Sequence, residues 1–346
     1  MLRFLTAGES HGRCMIAILE GMPAGLKLDL KEVNMELKRR QLGYGRGDRM
    51  KIEGDSVETL SGVKNGLTLG SPIGLYVKNN DFRIDDLIAL TNPRPGHADL
   101  VGCLKYGHRD IRNVLERASA RETVSRVAIG AVCKLFLKEF DIRIFSEVLA
   151  IGGETSKEKM NKKIDVAKKN LDTVGGLFSV TAIGVPVGLG SYVSADRRLN
   201  ARLSGALASI PAIKAVEIGL GSGYASNLGS KVHDAIYYSK EKGYYRKTNN
   251  AGGIEGGVSN GEPIVVRCTM KPIATVGKPL DSVDIITKKA VKAAVERYDT
   301  CAVAAAGVVA ESVMAYELAR ASLEKFGGDS MQEVKRNYKG YLRSLE

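Results

Sequence analysis

Apolar positions at three- and four-residue steps mark the most regular helical segment of the chain. Ala120, Val124, Val127, Ala128, Ala131, Val132 and Leu135 form one stripe of mostly small side chains, so another element must approach it closely. A second helix is predicted from Asp29, with Glu32 three residues on as in a capping box and Leu30, Val33 and Leu37 on its inner face. The spacing predicts further helices over 200–209, 282–295 and 301–326, and an amphipathic, peripheral one over 329–346. Period-two alternation predicts strands at the N-terminus and over 15–19, 51–60, 71–78, 178–186, 212–219 and 263–270, half-buried and antiparallel where they alternate cleanly. The fold class is therefore α+β.

Composition narrows the classes open to such a chain. At 346 residues it can bury a large core, with an ordinary apolar content of 44%. Its apolar runs are too short to span a bilayer, and its first residues lead into a glycine turn where a signal peptide would continue. The 5 cysteines are scattered, odd in number and without metal-ligand spacing, which fits a reducing cytoplasm and no metal.

The net charge is +12, which raises the question of nucleic acid. Aromatics are only 6% and Trp is absent, so a stacking surface for a polymer is not expected. Many lysines fall between Lys157 and Lys169 and read as a solvated helix face, whereas the arginines collect beside glycine turns and histidines. That pattern suits a small, highly charged anion.

Three stretches carry candidate chemistry. Gly8-Glu9-Ser10-His11-Gly12 implies a tight turn presenting three polar side chains together. The run from Arg39 and Arg40 through Gly43, Gly45, Arg46 and Gly47 to Arg49 mixes backbone N–H groups with guanidinium forks, the donors that phosphate and carboxylate need. Past a polar linker over 79–92, Pro93-Arg94-Pro95-Gly96-His97 holds Arg94 and His97 on a stiff backbone. Arg117 and Arg121 stand one helical turn apart, on nearly one face, with Ser119 between them. Either an anion sits between the two guanidiniums, or this is a solvated helix start with Glu116 and Glu122 absorbing them. Glu116-Arg117 and Glu296-Arg297 each precede an Ala/Val-rich helix, a hint of internal duplication. The glycine turns do not fit the dinucleotide fingerprint, so a Rossmann reading is declined.

Taken in order, the motifs around His11, Arg40 to Arg46, Arg94 to Asp99, Arg117 to Thr123, Lys271 to Thr275 and Arg297-Tyr298-Asp299 resemble the chorismate synthase family over nearly the whole chain. The resemblance implies one domain over 1–346, with helices layered between antiparallel sheets, assembled as a homotetramer. It implies a lyase of the shikimate pathway, converting 5-enolpyruvylshikimate 3-phosphate to chorismate and phosphate by 1,4-elimination. It also implies a requirement for reduced FMN without net redox change. Carried over to this sequence, Arg40, Arg46, Arg49, Arg94 and Arg121 would clamp the substrate, and the first two are also associated with NADPH. His11 would protonate the leaving phosphate; His97 would stand by the flavin; Asp299 with Ser10 would pass the substrate proton away through it. Arg117, Ala118, Ser119, Ala212, Gly256, Lys271, Pro272, Ile273, Ala274, Thr275 and Arg297 would hold FMN. Set among the arginines, His11 is expected neutral until the phosphate arrives. Tyr298, Thr300, Ala118 and Pro211 depart from the commoner family residues His, Pro, a hydroxyl side chain and Asn.

Overall fold

The computed structural model describes residues 1–47 and 54–345. Arg49 and the start of the strand predicted over 51–60 lie outside the described residues. The chain is an α+β structure with two four-stranded antiparallel sheets. In the first, Arg3–Ala7 pairs with Cys14–Glu20, which pairs with Ile73–Lys78, which pairs with Val57–Ser61. In the second, the order is Arg143–Ile151, Gly176–Ile183, Ile264–Met270, Ile213–Ile218.

The small-residue stripe meets the partner it demands. Helix Thr123–Lys138 packs on the first sheet with one side and on helix Val303–Phe326 with the other, and that second helix lies on the second sheet. The two helices cross at Gly130, where a Cβ would stand 2.2 Å from the Ser312 Cβ. Helices Leu30–Gln41 and Leu199–Ala208 flank this pair. One continuous core runs through both sheets and the helices, from Leu19 and Ile73 through Val127 and Phe136 to Phe178, Val266 and Met314.

Three local expectations are corrected. Asp29 caps its helix by accepting from the Lys31 N–H, but Glu32 turns outward to the Lys138 ammonium, so the reciprocal half of a capping box is not made. The helix predicted over 282–295 is a hairpin of strands Asp281–Val283 and Ala290–Lys292. At its tip the Asp284 carboxylate accepts from the N–H groups of Ile286 and Thr287, a local bond that competes with helix, and Lys288 takes a left-handed φ of 61°. Finally, the strand Arg143–Ile151 was not expected, because Phe145 points outward with the charged Arg143 and Glu147 and blurs the alternation.

Candidate functional site

The glycine-framed turn is folded as its sequence implies. Gly8 has φ 114°, and a Cβ there would lie 2.3 Å from the Cys14 carbonyl oxygen, so only glycine fits between the turn and its own second strand. The turn buries Ser10 and His11 and ties them to helix Arg112–Ala118. The Ser10 N–H donates to the Glu116 carbonyl at 2.9 Å, and the His11 N–H donates to Glu116 Oε2 at 2.7 Å. His11 Nδ1 lies 2.9 Å from Glu116 Oε1, while Nε2 is 3.7 Å from Asp81 Oδ2. The expectation of His11 set among arginines is therefore corrected: two carboxylates flank the ring. Burial pushes the Glu116 carboxyl up, but the bonds from the His11 ring and backbone outweigh it and hold the group below the usual carboxylate range. Asp81 is likewise held low: burial raises it, and Arg297 and Arg83 more than compensate.

Asn79 joins this turn to the arginines. Its amide donates to the carbonyls of Gly12 at 2.8 Å and Glu9 at 3.0 Å, and its Oδ1 accepts from Arg121 Nε at 2.9 Å. Arg121 Nη1 in turn reaches Asp55 Oδ1 at 2.5 Å, and Arg40 Nη2 reaches Asp55 Oδ2 at 3.2 Å. Arg46 pairs with Asp299 at 3.1 Å, whose other oxygen accepts from the Gly47 N–H at 2.6 Å. Thr300 and Cys301 N–H groups donate to the Gly45 carbonyl and fix this loop beside Asp299. Among the described residues, Arg40, Arg46 and Arg121 thus share the two carboxylates of Asp55 and Asp299. Burial, opposed by Asp55 and aided by the neighbouring Arg121 and Arg46, pushes Arg40 down to about 10, so it stays charged at neutral pH. Arg40 Nε is buried without a hydrogen-bond partner among the described residues. Three guanidinium groups gathered near a histidine offer the donors that an anion takes.

Arg117 and Arg121 are not a pair around one anion. The helix ends at Ala118, Ser119 is extended, and a short 3-10 turn over Ala120–Glu122 intervenes before the next helix. Arg117 consequently turns to the carbonyls of Gly8 and Thr6, both at 2.9 Å, and Arg121 to Asp55 and Asn79.

The stiff segment around His97 forms a second group. Arg94 is buried and fully used: Nε and Nη2 donate to Asp99 at 2.8 and 3.0 Å, and Nη1 to Thr275 Oγ1 at 2.7 Å. His97 Nδ1 lies 2.5 Å from Asp99 Oδ1. Burial raises the Asp99 carboxyl, but His97 and Arg94 hold it far below the usual range, so it only accepts and the Nδ1 hydrogen belongs to that bond. Arg94 Nη2 also lies 3.4 Å from His97 Nε2. The Lys271 ammonium donates to the Gly96 carbonyl, and its N–H donates to the carbonyl of Ala212, which has φ 70°. Burial, with the nearby Lys214 charge, pulls Lys271 down. Pro272 and Ala274 belong to the same loop, which Thr173 pins by donating to the Ile273 carbonyl at 2.7 Å.

The two groups lie side by side, with Tyr298, next to Asp299, packed on Gly277 just beyond Thr275. Arg297 donates to Asp81, beside His11. Gly256 is the outlier. It borders a different cleft with Arg198, Asn200 and Ile218. Ile218 ends the strand that Ala212 precedes, so this cleft opens at the other end of that strand from Ala212.

Sequence reading missed Asn79, Asp81 and Asp55, and treated Glu116 only as a partner for arginines. Asn79 and Asp81 were placed in a polar linker; the available signal is that Asn79 directly follows the apolar strand Ile73–Lys78, where a polar side chain is carried inward.

Comparison with known proteins agrees with this arrangement. The sequence model of the family described as chorismate synthase matches residues 2–323. A chorismate synthase of Thermoanaerobacter pseudethanolicus is 56% identical over 344 residues, covering 99% of this chain and 98% of that one. One from Geotalea uraniireducens is 52% identical, covering 100% of this chain and 99% of the other. A solved chain described as the crystal structure of chorismate synthase superimposes with a TM-score of 0.82 at 43% identity, covering 99% of this chain and 98% of that one. Matched over this length, at these identities and with this architecture, the chain belongs to the chorismate synthase family of shikimate-pathway lyases.

Proposed function

We propose that the enzyme converts 5-enolpyruvylshikimate 3-phosphate to chorismate and phosphate by 1,4-elimination, with reduced FMN bound and no net redox change. The observation that carries this reading is the Asn79 link, which fastens the His11 turn to a buried cluster of guanidinium groups. A substrate with one phosphate and two carboxylates meets that charge. Arg46 and Arg121 hold the anion through charge-assisted bonds, and Arg40 supports them from beneath. Arg94, its donors taken by Asp99 and Thr275, acts by holding His97 in place. His11 gives the proton on Nε2 to the departing phosphate, and Asp299, fixed by Gly47 and Arg46, takes the proton that leaves the ring.

The residues near Lys271 fit the phosphate of a flavin mononucleotide. Burial and the nearby Lys214 charge depress Lys271, a repulsion that an anion relieves, and Thr275 lies on the same loop. When bound, reduced flavin supplies an electron-rich ring that lowers the barrier to elimination. Within one chain Gly256 does not adjoin this group, so it is left out of the set. NADPH enters only as a reductant of the flavin, since Arg40 is buried on Asp55.

The identical strand order of the two sheets, each followed by an Ala/Val-rich helix behind a Glu-Arg pair, supports one domain built by internal duplication with helices between the sheets. A cytoplasmic homotetramer is the assembly that goes with this reading. The test is an anaerobic assay with photoreduced FMN and substrate, following phosphate release. Many turnovers per flavin with no nicotinamide oxidised are expected. One NADPH consumed per product would replace the lyase reading by a reductase. A nucleic-acid-binding protein would be indifferent to flavin, with an affinity falling steeply with salt.

A further inference from the structure

We infer that Glu116 is the positioning residue of His11: it fixes both the tautomer and the orientation of the ring, so that Nε2 is the nitrogen presented to the leaving group. The inference rests on the proposed role of His11 but is carried by separate geometry. One carboxylate makes two bonds to one residue, Oε1 to the ring Nδ1 at 2.9 Å and Oε2 to the backbone N–H at 2.7 Å, and its own carbonyl accepts from Ser10. The bond to Oε1 ties the ring and the bond to Oε2 ties the backbone of the same residue, so the ring is held in one orientation.

The chemistry of the pair follows from what each atom can do. An ionised carboxylate accepts and never donates, so the Nδ1 hydrogen must lie in the bond to Glu116. Nε2 is then an acceptor in the neutral ring and a donor in the charged one. Its nearest carboxylate oxygen, Asp81 Oδ2 at 3.7 Å, is beyond hydrogen-bond distance and already accepts from Arg297. A proton on Nε2 is therefore uncommitted until an oxygen of the leaving phosphate comes within reach.

The charged groups around the ring are few and come from separate elements. Glu116 stands on its helix, and Asp81 on the loop after strand Ile73–Lys78 carries Arg83 and Arg297. Arg112 acts on Glu116, Arg117 holds the Gly8 carbonyl, and Arg121 reaches the turn through Asn79. Among the described residues Glu116 alone hydrogen-bonds the ring, so a change confined to that carboxylate is read at His11.

The test is Glu116→Gln, which keeps the shape but offers an amide. Its oxygen can still accept from the His11 N–H, and its NH2 must then donate to Nδ1, which forces the neutral ring into the opposite tautomer. Long-range proton–nitrogen correlation spectra of histidine-labelled enzyme read this directly, the His11 signals being assigned by their loss in His11→Asn. Hydrogen on Nδ1 is expected in the parent enzyme and on Nε2 in Glu116→Gln. The kcat should fall about 100-fold with KM changed less than about threefold. Glu116→Asp should restore the original tautomer and part of kcat. It carries the same spectral test if Glu116→Gln does not fold. An unaltered tautomer in Glu116→Gln, or the opposite tautomer in Glu116→Asp, overturns the inference. A switched tautomer with unaltered kcat supports Glu116 as the positioning residue and removes His11 as the proton donor, so the two readings fail separately.

Discussion

At the scale of single residues, the arginines divide by how they are satisfied. Arg121 is buried and shares Asp55 with Arg40, so it is built into the floor of the site and is more than a clamp. Arg121→Ala would leave Asp55 short of a partner and the Asn79 carbonyl without its donor. A loss of about 3–5 kcal/mol in urea unfolding is expected, with Arg121→Lys recovering part of it. Arg46→Ala should behave differently: its pair with Asp299 lies nearer the surface, so substrate affinity should drop by about 2–5 kcal/mol in a binding titration while the unfolding midpoint moves little. Equal stability losses in the two variants would contradict this division. Sequence alone supplied the residue types, and it placed Arg46 and Asp299, which pair, in motifs far apart in the chain. It did not supply their partners. Whether a guanidinium faces a ligand or Asp55 depends on a contact across 66 positions of chain, and local spacing holds no record of that.

At the scale of elements, helix Val303–Phe326 shows what period and composition can and cannot tell. Its Ala and Val content reads correctly as a buried helix, and the small-residue stripe of Thr123–Lys138 reads correctly as a close crossing. The polar residues buried along it were not legible, because only packing decides their fate. Glu311 is wholly buried yet paired with Arg39, Lys134 and Ser146. Glu317, two turns on, is also buried, but its Oε2 has no hydrogen-bond partner among the described residues and Arg320 stays 3.8 Å away. Burial pushes the Glu317 carboxyl above its usual range, with the Arg320 and Arg202 charges only partly opposing it. A group raised in the folded state stabilises fully below its unfolded pKa, near 4.3, and that contribution is lost as pH rises through the folded value. Glu317→Gln should therefore melt higher than the parent at pH 8, and the difference should close below about pH 4. A melting difference that is the same at both pH values would show that the effect comes from packing and not from titration. The hairpin in place of the helix over 282–295 is the converse case, where a side-chain bond at Asp284 overrode an Ala/Val pattern.

At the scale of the whole molecule, the net charge of +12 acts on encounter, not on the fold. The lysine-rich helix Lys157–Lys169 reads in the sequence as a solvated face, and it is one: only Met160 and Ile164 are buried. The structure adds that it stands against the Arg46 loop, where the Tyr44 hydroxyl donates to Asp165 at 2.8 Å. Its exposed ammonium groups thus extend the field of the buried arginines out into solvent, on the side of the site where a guanidinium is nearest the surface. A multiply charged anion approaching that side is attracted before it makes any contact. Because the interaction crosses solvent, it is screened over a Debye length of about 10 Å at 0.1 M salt, whereas the buried pairs within the site are not. Two consequences separate steering from binding. The kcat/KM should fall as salt is raised while kcat stays constant. Replacing Lys162, Lys168 and Lys169 by Gln should lower kcat/KM at low salt by a factor on the order of three to ten, and leave kcat unchanged. At high salt the variant and the parent should converge, since screening already removes what the substitutions remove. A salt-independent kcat/KM, or a deficit that persists at high salt, would mean that the lysine helix makes no long-range contribution and that the positive charge of this protein works only where the arginines touch the substrate.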